Sequence, residues 1–194
     1  SFWSSRLTRL DFKHINCDDL IEEKLSPVLK KRGYRGIQDV ARWLGQPYDQ
    51  QFPKNQKQYL EFENQTMQEI FQKIEKPEKN TVIDTTGSVI YTNEKNLEDL
   101  KKYSLIIYLE SSPAMKKEMY KEFLKNPKPL IWGQMYKKLN SEKKEQALLR
   151  CYSDLLEYRS ALYSKHADIV IPYHQLAEDK ISEKEFMALI EEKL

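Results

Sequence analysis

Cysteine is scarce in this 194-residue chain, with Cys17 and Cys151 the only two. Two thiols build neither a disulfide framework nor a four-cysteine zinc site, so a reducing, cytoplasmic setting is the expectation. Glycine is also sparse, at five residues, and each therefore marks an expected turn or close approach. No apolar run nears the roughly 18 residues of a membrane helix, which argues against a membrane-spanning reading. The opening SFWSSRLTRLDFKH has charges inside an amphipathic stretch and does not read as a secretory leader. It lacks an initiator Met, so the sequence reads as cut, or as beginning partway through a longer chain. His14, His166 and His174 are scattered without metal-ligand spacing. No sign of charge dominates: Lys+Arg is 32 and Asp+Glu is 30, a formal +2. That balance argues against a nucleic-acid binder on bulk charge.

What is present reads as one ordinary domain over residues 1–194, long enough to bury a core without staples. Twelve Tyr, seven Phe and three Trp argue against disorder. Three short β-branched runs, Thr81–Asp84, Ser104–Glu110 and Ala167–Pro172, are apolar on consecutive positions, as strands covered on both faces are. A weaker fourth is Phe12–Ile15. Helical patterns separate them. Residues 18–31 begin with acids and end with bases, and residues 55–75 keep Tyr59, Phe62, Met67, Ile70, Phe71 and Ile74 near one face. Ser112-Pro113 opens a third helix, residues 142–163 form a fourth, and Ser182 with Glu185 forms a capping box for residues 182–193. Strands alternating with helices predict an α/β fold with a mainly parallel sheet. Ligands then sit beyond the carboxyl ends of the strands.

Several residues at those ends carry possible chemistry. Asn16-Cys17-Asp18 follows a strand and opens a helix. Asp18 is placed to accept a proton from a bound hydroxyl, while the plainer reading is a helix cap. Cys17 has no acid–base partner in the pattern and reads as a buried structural thiol. Asp84-Thr85-Thr86-Gly87-Ser88 ends another strand. An acid there suits Mg²⁺ or its water shell, and the turn offers backbone N–H groups to an anion; the alternative is an ordinary turn. The stretch from Lys125 to Gly133 holds Pro127 and Pro129 and reads as a lid, set within about residues 112–140, with Lys128 within reach of a phosphate. Arg159 near the end of the long helix either clamps an acid group bidentately or complements the helix dipole. Lys116, Lys117, Lys121 and Lys125 space out along one helix and read as a solvated face.

In order, these pieces resemble the shikimate kinase family of P-loop small-molecule kinases, over nearly the whole chain. Asn16-Cys-Asp18-Asp-Leu-Ile21-Glu22 is similar to the family's D-x-D-x-x-I-E, with Asn for the first acid. Tyr59-Leu60-Glu-Phe-Glu63 resembles F-R-x-x-E, with Leu60 for the substrate-binding Arg. Thr85-Thr86-Gly87 resembles the G-G-G turn and keeps its last glycine. Leu105-Ile-Ile-Tyr-Leu-Glu110-Ser-Ser112 resembles V-V-Y-L-E-x-S, and Lys128-Pro129-Leu130-Ile131 resembles the lid R-P-L-L. Arg159-Ser-Ala-Leu162-Tyr163-Ser-Lys-His-Ala167-Asp168 is similar to R-x-P-L-Y-x-x-x-A-D. The phosphate loop G-x-x-x-x-G-K-[ST] does not occur in the sequence. The resemblance puts that loop about seventeen residues before the substrate Asp, so Ser1 falls where its Ser or Thr stands and the first strand is expected upstream.

The resemblance implies a three-layer parallel sheet flanked by helices, with a lid. It implies an ATP- and Mg²⁺-dependent kinase that moves the γ-phosphoryl to a hydroxyl of a small-molecule substrate. Asp18 and Lys128 are then the expected catalytic residues. Asp18, Gly87 and Arg159 bind substrate, Ser1 and Lys128 bind nucleotide, and Ser1 and Asp84 serve the metal. Leu60 and Thr86 stand where shikimate is normally held and put shikimate itself in question. The competing reading is a non-catalytic kinase-fold binding or regulatory module.

Overall fold

The computed structural model describes residues 2–74, 79–176 and 181–194. Helix α1 (Phe2–Leu7) leads through a 3₁₀ turn into strand β1 (Lys13–Asn16), which passes directly into helix α2 (Cys17–Lys30). That junction is written in the residues. The Asn16 side chain accepts a hydrogen bond from the Asp18 N–H at 3.1 Å, Asp18 and Asp19 fill the first turn, and Lys30 fills the last. Helices α3 (Ile37–Leu44) and α4 (Phe52–Ile74) follow, then strand β2 (Thr81–Asp84) and helix α5 (Glu94–Tyr103). Strand β3 (Ile107–Glu110) leads to α6 (Pro113–Lys125), and α7 (Lys144–His166) to strand β4 (Ile169–Pro172) and α8 (Glu183–Glu191).

Three helices are not foreseen in the sequence reading: α1, α3 and α5. Helix α3 is bounded by Gly36 at φ 81° and Gly45 at φ 83°, a left-handed geometry that glycine tolerates. It is held by burial of Val40, Trp43 and Leu44. The expected strand over Ser104–Glu110 shortens to Ile107–Glu110. The Asp168 carboxylate takes the Ile106 N–H at 2.8 Å, and the Ile106 carbonyl accepts from the N–H groups of Asp168 and Ile169. Ser182 and Glu185 form the expected capping box at the start of α8.

All the strand pairing is parallel and flanked by helices, as an α/β fold of the P-loop kinase-like kind requires. The sequence reading expects one sheet. The described strands instead form two parallel pairs, β1 with β2 (Asn16 opposite Asp84) and β3 with β4 (Glu110 opposite Pro172). Pairing is a tertiary property, and no described segment lies between β2 and β3 to join them.

The main core joins α2, α3, α4 and α7 around Leu25, Trp43, Tyr59 and Leu155. Ile131 and Trp132 belong to it, each only 1% exposed. The Trp132 and Gly133 N–H groups both donate to Gln56 Oε1 at 3.0 Å. Ile131 to Gly133, at the carboxyl end of the Lys125–Gly133 stretch, are therefore fixed to the core, because a buried indole outweighs the pull of the neighbouring prolines and lysines toward solvent. A second cluster lies under α1 and α8, where Trp3 stacks on Phe186 with ring centroids 4.3 Å apart. A third, around Met67, Ile70 and Leu100, packs on Ile83.

Candidate active site

Two strands deliver one cavity. Asp18 enters it from the first turn of α2, just after β1, and Thr86, Gly87 and Ser88 enter from the turn after β2. Tyr59 and Arg159 reach it from α4 and α7, and Lys128 stands at its rim. The cavity measures about 110 Å³ and lies at the carboxyl ends of the strands, where parallel α/β folds place their ligands.

Burial pushes the Asp18 carboxyl upward, and the charge of Lys128 is the largest influence pulling it back. Tyr59 donates its hydroxyl to Asp18 Oδ1 at 3.4 Å. One helical turn later Glu63 is buried, at 1% exposure. Its oxygens accept from the Thr86 hydroxyl and, at 2.7 Å, from the Ser88 hydroxyl. Ser88 also donates its backbone N–H to Thr86 Oγ1 at 3.1 Å, which closes the turn around Gly87. Burial raises the Glu63 carboxyl to about 7, against the pull of those two donors.

Arg159 is buried at 6% exposure. Its Nη2 donates to the Ile131 carbonyl at 2.6 Å, its plane lies over Tyr91, and its Nε has no hydrogen-bond partner. Tyr163 donates its hydroxyl to the Gly87 carbonyl. A Cβ on Gly87 would meet Arg159 Nη1 at 3.0 Å and the Tyr163 hydroxyl at 3.3 Å. Glycine here permits the close approach of the guanidinium to the turn.

Asp18, Gly87, Lys128 and Arg159 thus meet in one place, as their motifs imply. Asp84 does not join them. It points to His14, with Oδ2 at 3.6 Å from Nε2, and lines a separate cavity between the strand pairs. Ser1 lies outside the described residues. Cys17 is buried and its thiol is pushed up to about 12, so it is the structural thiol expected and not a nucleophile. Leu60 packs against the main core and leaves the cavity without a second guanidinium. Lys117, Lys121 and Lys125 are exposed as expected of that helix face, whereas Lys116 is partly buried in its pair with Glu157. Thr86 lines the site at a position the resemblance links to substrate, whereas Tyr59, Glu63 and Ser88 are site neighbours that the sequence reading quoted within motifs but gave no role. Their signal is the i, i+4 spacing of Tyr59 and Glu63 and two hydroxyls flanking a glycine.

One carboxylate, two cations and a hydroxyl-lined turn around a small space suit a small, anionic, hydroxyl-bearing ligand. The parallel strands, the flanking helices and this charged cavity define a kinase-like phosphotransferase fold. The shikimate kinase family profile matches residues 40–190, and the chain belongs to the shikimate kinase family. The match covers Tyr59, Glu63, Gly87, Lys128 and Arg159, while Asp18 lies ahead of it. No curated protein matches the chain. Members of the family generally use ATP and Mg²⁺. Among the described residues, no group of three acidic, His or Cys side chains is placed to hold a metal, and no helix is long and apolar enough to cross a membrane.

Proposed function

We propose that the cavity is the acceptor site of an ATP-dependent kinase acting in the cytoplasm on a small hydroxy acid. The supporting observation is the buried Arg159, which has an unpartnered Nε and lines a cavity together with Asp18 and Lys128. A buried guanidinium with spare donors suits a carboxylate. Arg159 binds the acid group of the acceptor, and Gly87 lets it approach the turn. Asp18 orients the acceptor hydroxyl and takes its proton; its raised pKa makes it a better base than a solvated Asp. The acceptor oxygen then bonds to the γ-phosphorus of ATP as the bond to ADP breaks, and Lys128 stabilises the charge in transit.

The residues present meet this donor in part. Lys128 is available to a phosphate, whereas Asp84 faces His14 in a separate cavity and the pattern G-x-x-x-x-G-K is not in the 194 residues. The single guanidinium sets the acceptor class. With Leu60 in the core and Thr86 at the turn, an acid smaller or less polar than shikimate suits the site. Calorimetric titration with a panel of hydroxy acids, shikimate included, tests this. Saturable binding of at least one small hydroxy acid is expected, together with loss of about 10-fold or more in Arg159→Met. Equal affinity in that variant would overturn the assignment of Arg159. The second reading, a binding module without turnover, is favoured by Leu60 and Thr86 at the positions where the family motifs carry Arg and Gly. It predicts acceptor binding with no ADP release.

A further inference from the structure

The turn after β2 keeps its donors to itself. The Ser88 N–H goes to Thr86 Oγ1 at 3.1 Å and the Val89 N–H to the Thr86 carbonyl at 3.3 Å, so neither is left for an anion. The Thr86 and Ser88 hydroxyls lie 3.0 Å apart and give their hydrogens to the two oxygens of Glu63. Thr86 and Ser88 line the cavity, while Glu63 stands behind them, 1% exposed and off the cavity wall. Hydrogen counting then fixes what this wall offers. An ionised carboxylate only accepts, and a hydroxyl has one hydrogen and two lone pairs. With both hydrogens on Glu63, and one Thr86 lone pair holding the Ser88 N–H, the two hydroxyls have only lone pairs left for a ligand.

We infer that Glu63 determines specificity at this site: it holds the Thr86 and Ser88 hydroxyls as hydrogen-bond acceptors, so that this wall takes a hydroxyl of the ligand and rejects a carbonyl. The inference rests on the reading of the cavity as the place of a small hydroxy acid, and it gives that cavity a hydrogen-bond polarity. Arg159 supplies donors to the acid group, and the turn supplies acceptors to a hydroxyl. A carbonyl oxygen brought to the turn meets lone pairs with no hydrogen between them, and loses the bond it had in water. Glu63 touches no ligand and acts through the two hydroxyls, so it is a positioning residue. The titratable and charged groups that face it are Asp18 and Cys17 from α2, Arg159 from α7 and Tyr59 from its own helix. Among the described residues, its hydrogen bonds run to Thr86 and Ser88 alone. Two changes undo the arrangement. A protonated Glu63 donates its own O–H to one of the hydroxyls, whose hydrogen is then released toward the cavity, and Gln does the same through its amide N–H.

The test is an NMR titration of the Gly87 and Ser88 amides with 2-hydroxypropanoate and 2-oxopropanoate, two acids that differ by a hydroxyl against a carbonyl. It is run in Asp18→Asn, whose amide meets either group equally, so that the turn alone discriminates. At pH 8 the hydroxy acid is expected to bind at least ~10-fold more tightly than the oxo acid. Adding Glu63→Gln is expected to bring the two affinities within ~3-fold of each other. Lowering the pH to 5 is expected to do the same in Asp18→Asn, where burial favours the protonated Glu63, and to leave the double variant unchanged. A merely structural role for Glu63 would weaken both acids together and leave their ratio alone. The pH comparison carries the test if the double variant does not fold. A preference below ~10-fold at pH 8, or one that neither Glu63→Gln nor acid narrows, overturns the inference while leaving the cavity its ligand class. If neither acid binds, the acceptor-site reading falls and the inference with it.

Discussion

Replacing Glu63 by Gln is the sharpest test of how the site is built. Glu63 lies under the Thr86–Ser88 turn, and burial moves its carboxyl from 4.5 to about 7. A raised folded-state pKa means that the folded protein favours the protonated form. The stabilisation is fully present below 4.5 and is lost as pH rises through about 7. At 1.36 kcal/mol per pKa unit the loss is about 3 kcal/mol, a large share of a domain's stability. Gln keeps the shape and a hydrogen-bonding head next to both hydroxyls but does not titrate. Urea unfolding of the two proteins at about pH 4 and about pH 8 measures the gap between them. The gap is expected to shift by about 3 kcal/mol in favour of the variant at the higher pH. Other groups that titrate in this range, Asp18 included, largely cancel in the comparison. A gap that moves by less than about 0.5 kcal/mol would refute the burial argument for Glu63.

The other predictions concern its neighbours. Gly87→Ala forces Arg159 or Tyr163 aside; acceptor KM is expected to rise several-fold while urea stability changes by less than about 1 kcal/mol. In Lys128→Met the Asp18 titration followed by carboxyl-carbon NMR is expected to move upward, because the charge that opposes burial is gone; an unchanged titration would separate the two residues electrostatically. Asn16→Ala removes the cap of α2 and is expected to cost about 1 kcal/mol in chemical unfolding, with loss of Asp18 positioning visible as lower kcat. Leu155→Ala opens the main core and is expected to cost about 2–5 kcal/mol in the same assay without altering the pH profile.

Local features were legible in the sequence because they are decided locally. Asn16 ahead of two acids states a helix start, Ser182 with Glu185 states another, and the β-branched runs at Val82 and Ile169 state strands. The grouping of Asp18, Gly87 and Arg159 came through motif order, which follows the topology of the fold. Tertiary choices were not legible. Nothing in Lys125–Gly133 announces that Trp132 is buried and that Gln56 holds the backbone beside it. Asp84 looks like a site acid from its place at a strand end, yet the parallel register puts it on the same face as His14 of the neighbouring strand, and it points there. The burial of Glu63 was equally hidden, since a Glu amid Asn64 and Glu61 reads as a solvated helix face until the turn after β2 covers it.

Phosphorus NMR of the polypeptide that carries this chain, mixed with Mg-ATP and a panel of small hydroxy acids, tests the central claim most directly. The account predicts a new phosphate monoester resonance matched by ADP, and a rate about 10²–10⁴-fold lower in Asp18→Asn, which keeps the shape but not the base. Ester formed equally fast by Asp18→Asn, or no ester although ATP and acceptor both bind, would contradict it.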